Sequence, residues 1–365
     1  MKTRTSTYRL EYLDWLRGLG AIIMLQGHVF DSFLKPELRP GGAWVLSQFA
    51  GGMPPAIFLF LTGVTLAFLM DSSERRGLTP GERVFAAFRR SGYLFLLAFA
   101  FRAQMFLSGF PAAWTDLLKV DILNCMGFSI AVLSVMAVFR TRQRAAAAAA
   151  VGLAIVLAGP LVSAANWTQV PQALANYIAP SRVAFGFFPW GAYLAFGVSA
   201  GSLIRSTTPE ATNGAMRWIA AGGGLTIVVA QACAASSHSI YKAADFWLNS
   251  PAQVLTKASV TLVMLAGAYL WTRYGARHGA WSWVRQFGVT SLLVYWVHIE
   301  LVYGRWLWFL KNNLTVTETA VTAVGVILLM LAISVLRTNW ARVRAGLAEM
   351  GWWYAPPTPE RVPGD

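Results

Sequence analysis

An apolar stretch of membrane-spanning length, LDWLRGLGAIIMLQGHVF (13–30), carries Asp14, Arg17, Gln26 and His28. A charge at the centre of a bilayer costs about 3 kcal/mol or more, so such groups need a reason. Imidazole exchanges a proton near neutral pH and can act as a general base on a hydroxyl or an amine. At 100° per residue, Arg17 lies about 20° to one side of His28 and Asp14 about 40° to the other, while Gln26 is nearly opposite. Asp14, Arg17 and His28 therefore form one stripe, and eleven residues at 1.5 Å set Arg17 and His28 about 16 Å apart along it. Ala21 and Met24 fill the interval with no further charge. A plainer reading is also open, in which Asp14 and Arg17 are an i, i+3 pair at the inner interface and His28 snorkels to the outer one.

The elements that must position these groups are membrane helices. The chain has 365 residues, 56% hydrophobic and 13% charged, with a mean hydropathy of +0.51; a soluble domain carries about twice that charged share. Apolar runs fall at 10–30, 55–70, 93–109, 118–139, 145–164, 184–204, 217–235, 255–272, 287–304 and 319–337, which predicts about ten spans in an all-α polytopic fold. The first run lacks a small-x-small cleavage site and reads as a retained helix. With the N-terminus inside, alternate loops hold twenty Lys and Arg against nine outside, Arg17 being counted with its helix. Both termini are expected in the cytoplasm. The domain reading is one transmembrane domain over 1–345 with a short cytoplasmic tail, 346–365.

This topology brings further polar residues to the depth of His28. Arg102 ends the third span, Asp121 and Asn124 begin the fourth, and Tyr295, His298 and Glu300 lie past the middle of the ninth. Two histidines, two carboxylates and an arginine could converge there. Asp121 and Arg102 also fit a supporting ion pair, and His298 fits a satisfied structural histidine. The net charge of +14 sits in short clusters between apolar runs, which favours an anionic membrane surface over nucleic acid. Cys125 and Cys233 form neither a disulfide framework nor a metal pair, and Cys125 reads as a small buried hydrophobe. His238 and His278 read as loop residues, and no His/Cys/carboxylate spacing argues for a metal.

YLDWLRGLGAIIMLQGH followed by PPAIFLFLTGVTLAF resembles the opening of polytopic membrane acyltransferases, both the acyltransferase 3 family and bacterial relatives of heparan-α-glucosaminide N-acetyltransferase. VDILNCMGFSIA (120–131) and FGVTSLLVYWVHIELVYG (287–304) are more similar to the second group. The resemblance implies a multi-pass protein of a bacterial inner membrane that moves an acyl group, commonly acetyl, from cytoplasmic acyl-CoA to a saccharide or glycan on the far side. His28 matches the catalytic histidine of the acyltransferase 3 motif and Arg17 its arginine. The lysosomal enzyme of the second group has Asn at the position of His28 and its key histidine in the following loop; here that loop, 31–54, has no histidine. On this reading His28 is the base or acyl carrier, with His298 and Asp121 beside it. Arg17, with Asp14 next to it, and Arg89 and Arg90 hold the acetyl-CoA phosphates. Arg102, Asn124, Tyr295 and Glu300 face the acceptor. Partners are acyl-CoA, the acceptor and the bilayer, with no metal and no nucleic acid, and a homodimer is left open. The rival functions are a secondary transporter, with the same groups as a proton relay, and a non-catalytic membrane scaffold, which leaves the stripe unexplained.

Overall fold

A computed structural model describes residues 10–109, 111–235, 241, 245–275 and 280–349. His238, His278, the tail beyond Glu349 and six of the counted cations, Lys2, Arg4, Arg9, Lys242, Arg277 and Arg361, lie outside the described residues. The chain is an all-α polytopic membrane protein, with no β-strand among the described residues beyond one isolated bridge. Its helices are α1 (Glu11–Phe33), α2 (Gly42–Gly51), α3 (Pro54–Arg75), α4 (Pro80–Ser108), α5 (Ile122–Leu133), α6 (Thr141–Ala164) and α7 (Gln172–Ile178), then α8 (Phe187–Ser206), α9 (Thr212–Ala235), α10 (Pro251–Leu270), α11 (Trp283–Val289), α12 (Ser291–Tyr303), α13 (Val316–Thr338) and α14 (Trp340–Glu349).

Among the described residues, seven helical segments are long and apolar enough to cross a membrane: Gly42–Arg75, Pro80–Ser108, Thr141–Ala164, Phe187–Ser206, Thr212–Ala234, Pro251–Gly275 and Val316–Thr338. The other three expected spans also contain helix, but each departs from that standard. Helix α1 has 23 residues and carries Glu11, Asp14, Arg17, His28 and Asp31. Helix α5 has 12 residues and continues only as a short 3-10 turn. The run 287–304, read as one span, divides at Thr290 into α11 and the 13-residue α12. The segment 31–54, read as a loop, contains α2.

Sequence chemistry sets several of the starts. Thr79 accepts a hydrogen bond from the Glu82 backbone N–H while the Glu82 carboxylate accepts from the Thr79 N–H, and Pro80 stands in the first turn. Thr315 and Glu318 repeat this box at α13. Such boxes satisfy backbone donors that a helix start would otherwise leave bare.

Backbone-to-backbone crossings hold the bundle. Helix α3 runs against α8 so closely that a Cβ on Gly63 would stand 2.1 Å from the Leu194 carbonyl oxygen, and one on Gly197 2.0 Å from that of Phe60. Helix α1 meets α11 the same way: a Cβ on Gly18 would be 1.8 Å from the Val284 oxygen, and one on Gly288 1.7 Å from the Asp14 oxygen. Small residues permit such contacts where water does not drive helices together. At its other end α1 is tied to the segment before α13, with Leu314 N–H donating to Phe33 O at 2.9 Å and Lys35 N–H to Leu314 O at 3.0 Å.

One end of α3 closes on a polar cluster. Arg144, fully buried, donates to Glu74 at 2.8 Å, and Arg205 donates to Asp71 at 2.7 Å. These pairs join α3 to α6 and α8.

Candidate active site

A cavity of about 1170 Å³ opens between α1, α3, α4, α5, α12 and α13. Arg17, Arg90, Arg337, Thr290 and Thr338 line one end; His28, Asp121, Tyr295 and Tyr303 line the other; Met24, Phe58, Leu66, Leu94 and Met126 line the space between. Arg17 and His28 stand about 16 Å apart on α1. Arg17, Met24 and His28 of the stripe inferred from helical periodicity thus line one wall of a cavity, with a guanidinium at one end and an imidazole at the other.

At the His28 end, His28 Nδ1 lies 2.9 Å from His298 Nε2, and His298 Nδ1 lies 2.7 Å from the Val294 carbonyl oxygen. A carbonyl oxygen only accepts, so His298 Nδ1 carries a proton and donates it to Val294. With both rings neutral, His298 Nε2 is then an acceptor and His28 Nδ1 the donor to it. The remaining lone pair of the dyad sits on His28 Nε2. His298 is fully buried, whereas His28 is only half-buried and lines the cavity. The two rings stack at 5.2 Å, Tyr303 meets His28 edge-on at 5.3 Å, and Tyr295 meets His298 at 5.9 Å. Tyr303 donates its hydroxyl proton to Asp31 at 2.9 Å, one turn beyond His28.

Asp121 is engaged elsewhere. Its Oδ1 accepts from the Leu123 and Asn124 backbone N–H groups at 2.9 and 3.1 Å, capping α5. Its Oδ2 stands 3.1 Å from Arg102 Nε. Asn124 completes the cap by accepting from the Asp121 N–H and donates to the Tyr177 hydroxyl at 3.0 Å. Among the described residues, none of the hydrogen bonds or ion pairs of Asp121 goes to either histidine.

The other expected site residues divide. Arg17 lines the cavity and is ion-paired to Asp14 at 3.1 Å, which is the i, i+3 pair of the structural reading. Arg90 lines the cavity; Arg89, 100° further round α4, is exposed and is not among the lining residues. Tyr295 lines it too, whereas Arg102, Asn124 and Glu300 do not. Glu300 is buried beside a separate cavity of about 360 Å³ with Gln104, Trp296 and Trp306, and its Oε2 has no hydrogen-bond partner in the described structure. Cys125 is buried near Ser129 and the Gly186 carbonyl, away from the cavity.

Sequence reasoning missed Arg337, Tyr303 and Asp31. Arg337 was visible as a cation closing a span but served only in the charge count, and the Tyr303–Asp31 bond joins residues 272 apart, which no spacing rule connects.

The family model described as heparan-alpha-glucosaminide N-acetyltransferase, catalytic, matches residues 9–232, more than half of the chain. A comparison with curated proteins gave no match. His28, Arg17, Arg90 and Asp121 fall inside the matched stretch; Tyr295, His298 and Arg337 fall beyond it.

Proposed function

The chain belongs to the heparan-α-glucosaminide N-acetyltransferase catalytic family, and from that premise we propose that it is an acetyl-CoA-dependent membrane acyltransferase whose base is His28, acting from the outer end of the cavity on a saccharide or glycan acceptor. The observation that carries this reading is the hydrogen-bonded order Val294 O, His298, His28, which leaves one basic nitrogen, His28 Nε2, at the polar end of a cavity with arginines at its other end.

The chemistry follows from that nitrogen. Acetyl-CoA supplies a thioester carbonyl. His28 Nε2 takes the proton of the acceptor's amine or hydroxyl as the new N–C or O–C bond forms. As the C–S bond breaks, the thiolate leaves and collects the proton that His28 holds, so the ring returns to its starting state. His298 keeps Nδ1 of His28 committed as a donor throughout, which directs Nε2 at the reactants, as a fixed second partner does for other catalytic imidazoles. Used instead as a nucleophile, the same nitrogen would carry the acyl group between half-reactions, and ping-pong kinetics would identify that route.

The charge count supports the sidedness. Arg90 and Arg337 belong to the segments assigned to the inside, Arg17 lies in the cytoplasmic half of the first span, and Asp121 and Tyr303 stand at span ends assigned to the outside. Both ends of the chain are then cytoplasmic, and the cavity runs from the donor's compartment toward the acceptor's. Family membership favours this reading over a transporter.

The test is incubation of the purified protein with labelled acetyl-CoA and a panel of amino sugars, glycans and lipid-linked saccharides, with hydrolysis scored separately. Transfer to one acceptor class, lost in His28→Gln protein that remains monodisperse, is the expected result. Turnover of the variant at the normal rate removes His28 from the chemistry.

A further inference from the structure

Three cations from distant parts of the chain line the cavity on the side away from His28: Arg17 from α1, Arg90 from α4 and Arg337 from the last turn of α13. They are not equivalent. Arg17 is neutralised by Asp14 at 3.1 Å. Among the described residues, Arg90 has a cation–π contact with Tyr93 at 5.1 Å and no ion pair, and Arg337 has neither an ion pair nor a hydrogen bond. Two guanidinium groups without an ion pair therefore line this side, together with Thr290, Ser291 and Thr338.

The position of Arg337 is built. Gln286 donates to the Ser334 carbonyl and hydroxyl at 3.0 and 2.9 Å and to the Thr338 hydroxyl at 3.1 Å, while Thr290 and Ser334 share a hydroxyl bond at 2.5 Å. This network locks the last turn of α13 to the junction of α11 and α12. Ser334 and Thr338 bracket Arg337 on its helix, so the bonds that fix them also fix where that side chain begins.

We propose that Arg337 and Arg90 form a phosphate clamp for the nucleotide end of the thioester donor, and that Arg337 makes the enzyme prefer a phosphorylated nucleotide thioester over the same acyl group on a bare pantetheine arm. The inference rests on the acyl-CoA reading above and adds to it the residues that recognise the donor's far end. Guanidinium matches phosphate oxygens with two parallel N–H bonds, which a single ammonium cannot do. The donor site would then be shared between the stretch that carries the family signature and the C-terminal third, which lies beyond it. The thioester would lie toward His28, reached along the apolar wall of Met24, Phe58 and Leu94.

The test compares acetyl-CoA, acetyl-dephospho-CoA and S-acetylpantetheine as donors for wild-type, Arg337→Gln and Arg337→Lys protein in detergent. Arg337→Gln should raise the KM for acetyl-CoA about ten- to hundredfold, the range for losing a hydrogen-bonded charge, while kcat and the KM for S-acetylpantetheine stay at wild-type values. Arg337→Lys should recover only part of the loss. Adenosine 3′,5′-bisphosphate should inhibit the wild type at concentrations about tenfold below those needed for Arg337→Gln. An unchanged ratio of acetyl-CoA to S-acetylpantetheine KM in Arg337→Gln overturns the clamp but leaves the acyltransferase reading standing. A wild-type protein that uses none of the three thioesters overturns that reading, and the clamp with it. If Arg337→Gln does not fold, the Lys variant and the bisphosphate inhibition of Arg90→Gln decide by the same ratios.

Discussion

Helices α3 and α8 meet with almost nothing between them, whereas α1 and α12 meet through two imidazole rings. In the first pair, glycines let the backbones touch and no space is left. In the second, His28 and His298 span the gap, and a cavity runs beside them. The helices of the first pair belong to segments apolar enough to cross a bilayer, while neither helix of the second meets that standard. Small side chains thus build the frame. The two facing histidines stand on α1 and α12, which border the cavity. A substitution in one region should therefore damage folding, and in the other chemistry.

The largest expected effect is on the frame. Gly197→Leu would drive a side chain into the Phe60 carbonyl, whose oxygen would lie 2.0 Å from the added Cβ alone, and should abolish monodisperse protein in detergent chromatography, a loss beyond about 4 kcal/mol. Gly214→Leu, with open space around its Cβ position, should leave the elution profile unchanged. A well-folded Gly197→Leu protein would break the comparison at its first term. Next comes His28→Gln: turnover should fall about 10²- to 10⁴-fold while the thermal midpoint moves little. His298→Ala should cost less, about 10- to 100-fold in kcat, and should alter the pH profile of turnover because His28 loses the acceptor that fixes its tautomer. If His298→Ala is the more damaging of the two, the roles within the dyad are reversed. A smaller change is expected for Arg102→Gln, which strands the Asp121 carboxylate and should lower stability by about 1 to 3 kcal/mol with kcat within about threefold of wild type. A large loss of kcat without a loss of stability would move Asp121 into the chemistry. The smallest belongs to Leu328, 59% exposed on the outer side of α13; Leu328→Val should change stability by less than about 0.5 kcal/mol.

The frame was largely legible in the sequence because hydropathy is a sum over many residues and tolerates local error. Each of the ten expected runs contains helix. The break at Thr290 was not legible, because an apolar average over 287–304 contains no sign that Gly288 lies against the backbone of α1. Within the site, periodicity on one helix was enough to align Arg17 with His28. The Asp14–Arg17 and Arg102–Asp121 pairs also followed from charge and depth. Sequence could bring His298 to the same depth but could not supply its bond to His28 or the carbonyl that sets its proton. Those depend on how α12 is rotated, which α11 and α13 determine. For the same reason Arg89 and Arg90 were indistinguishable: one residue is 100° of helix, and only packing says which side faces the cavity.

On the acyl-transfer reading proposed above, the two attachments of α1 have a consequence for donor choice. Gly18 fixes the helix against α11 at one end, and the Phe33–Leu314 bond fixes it at the other. Between them, α1 can neither slide nor turn without breaking backbone contacts, so its eleven-residue interval acts as a ruler. An acyl carrier gripped at the Arg17 end must have an arm of about 16 Å to bring its thioester level with His28. A carrier with a shorter arm would stop among Met24 and Phe58, where there is no base. One residue inserted between Arg17 and His28 would lengthen the interval by only 1.5 Å but swing the imidazole through 100°. The geometry of this helix therefore constrains residue count as much as residue type.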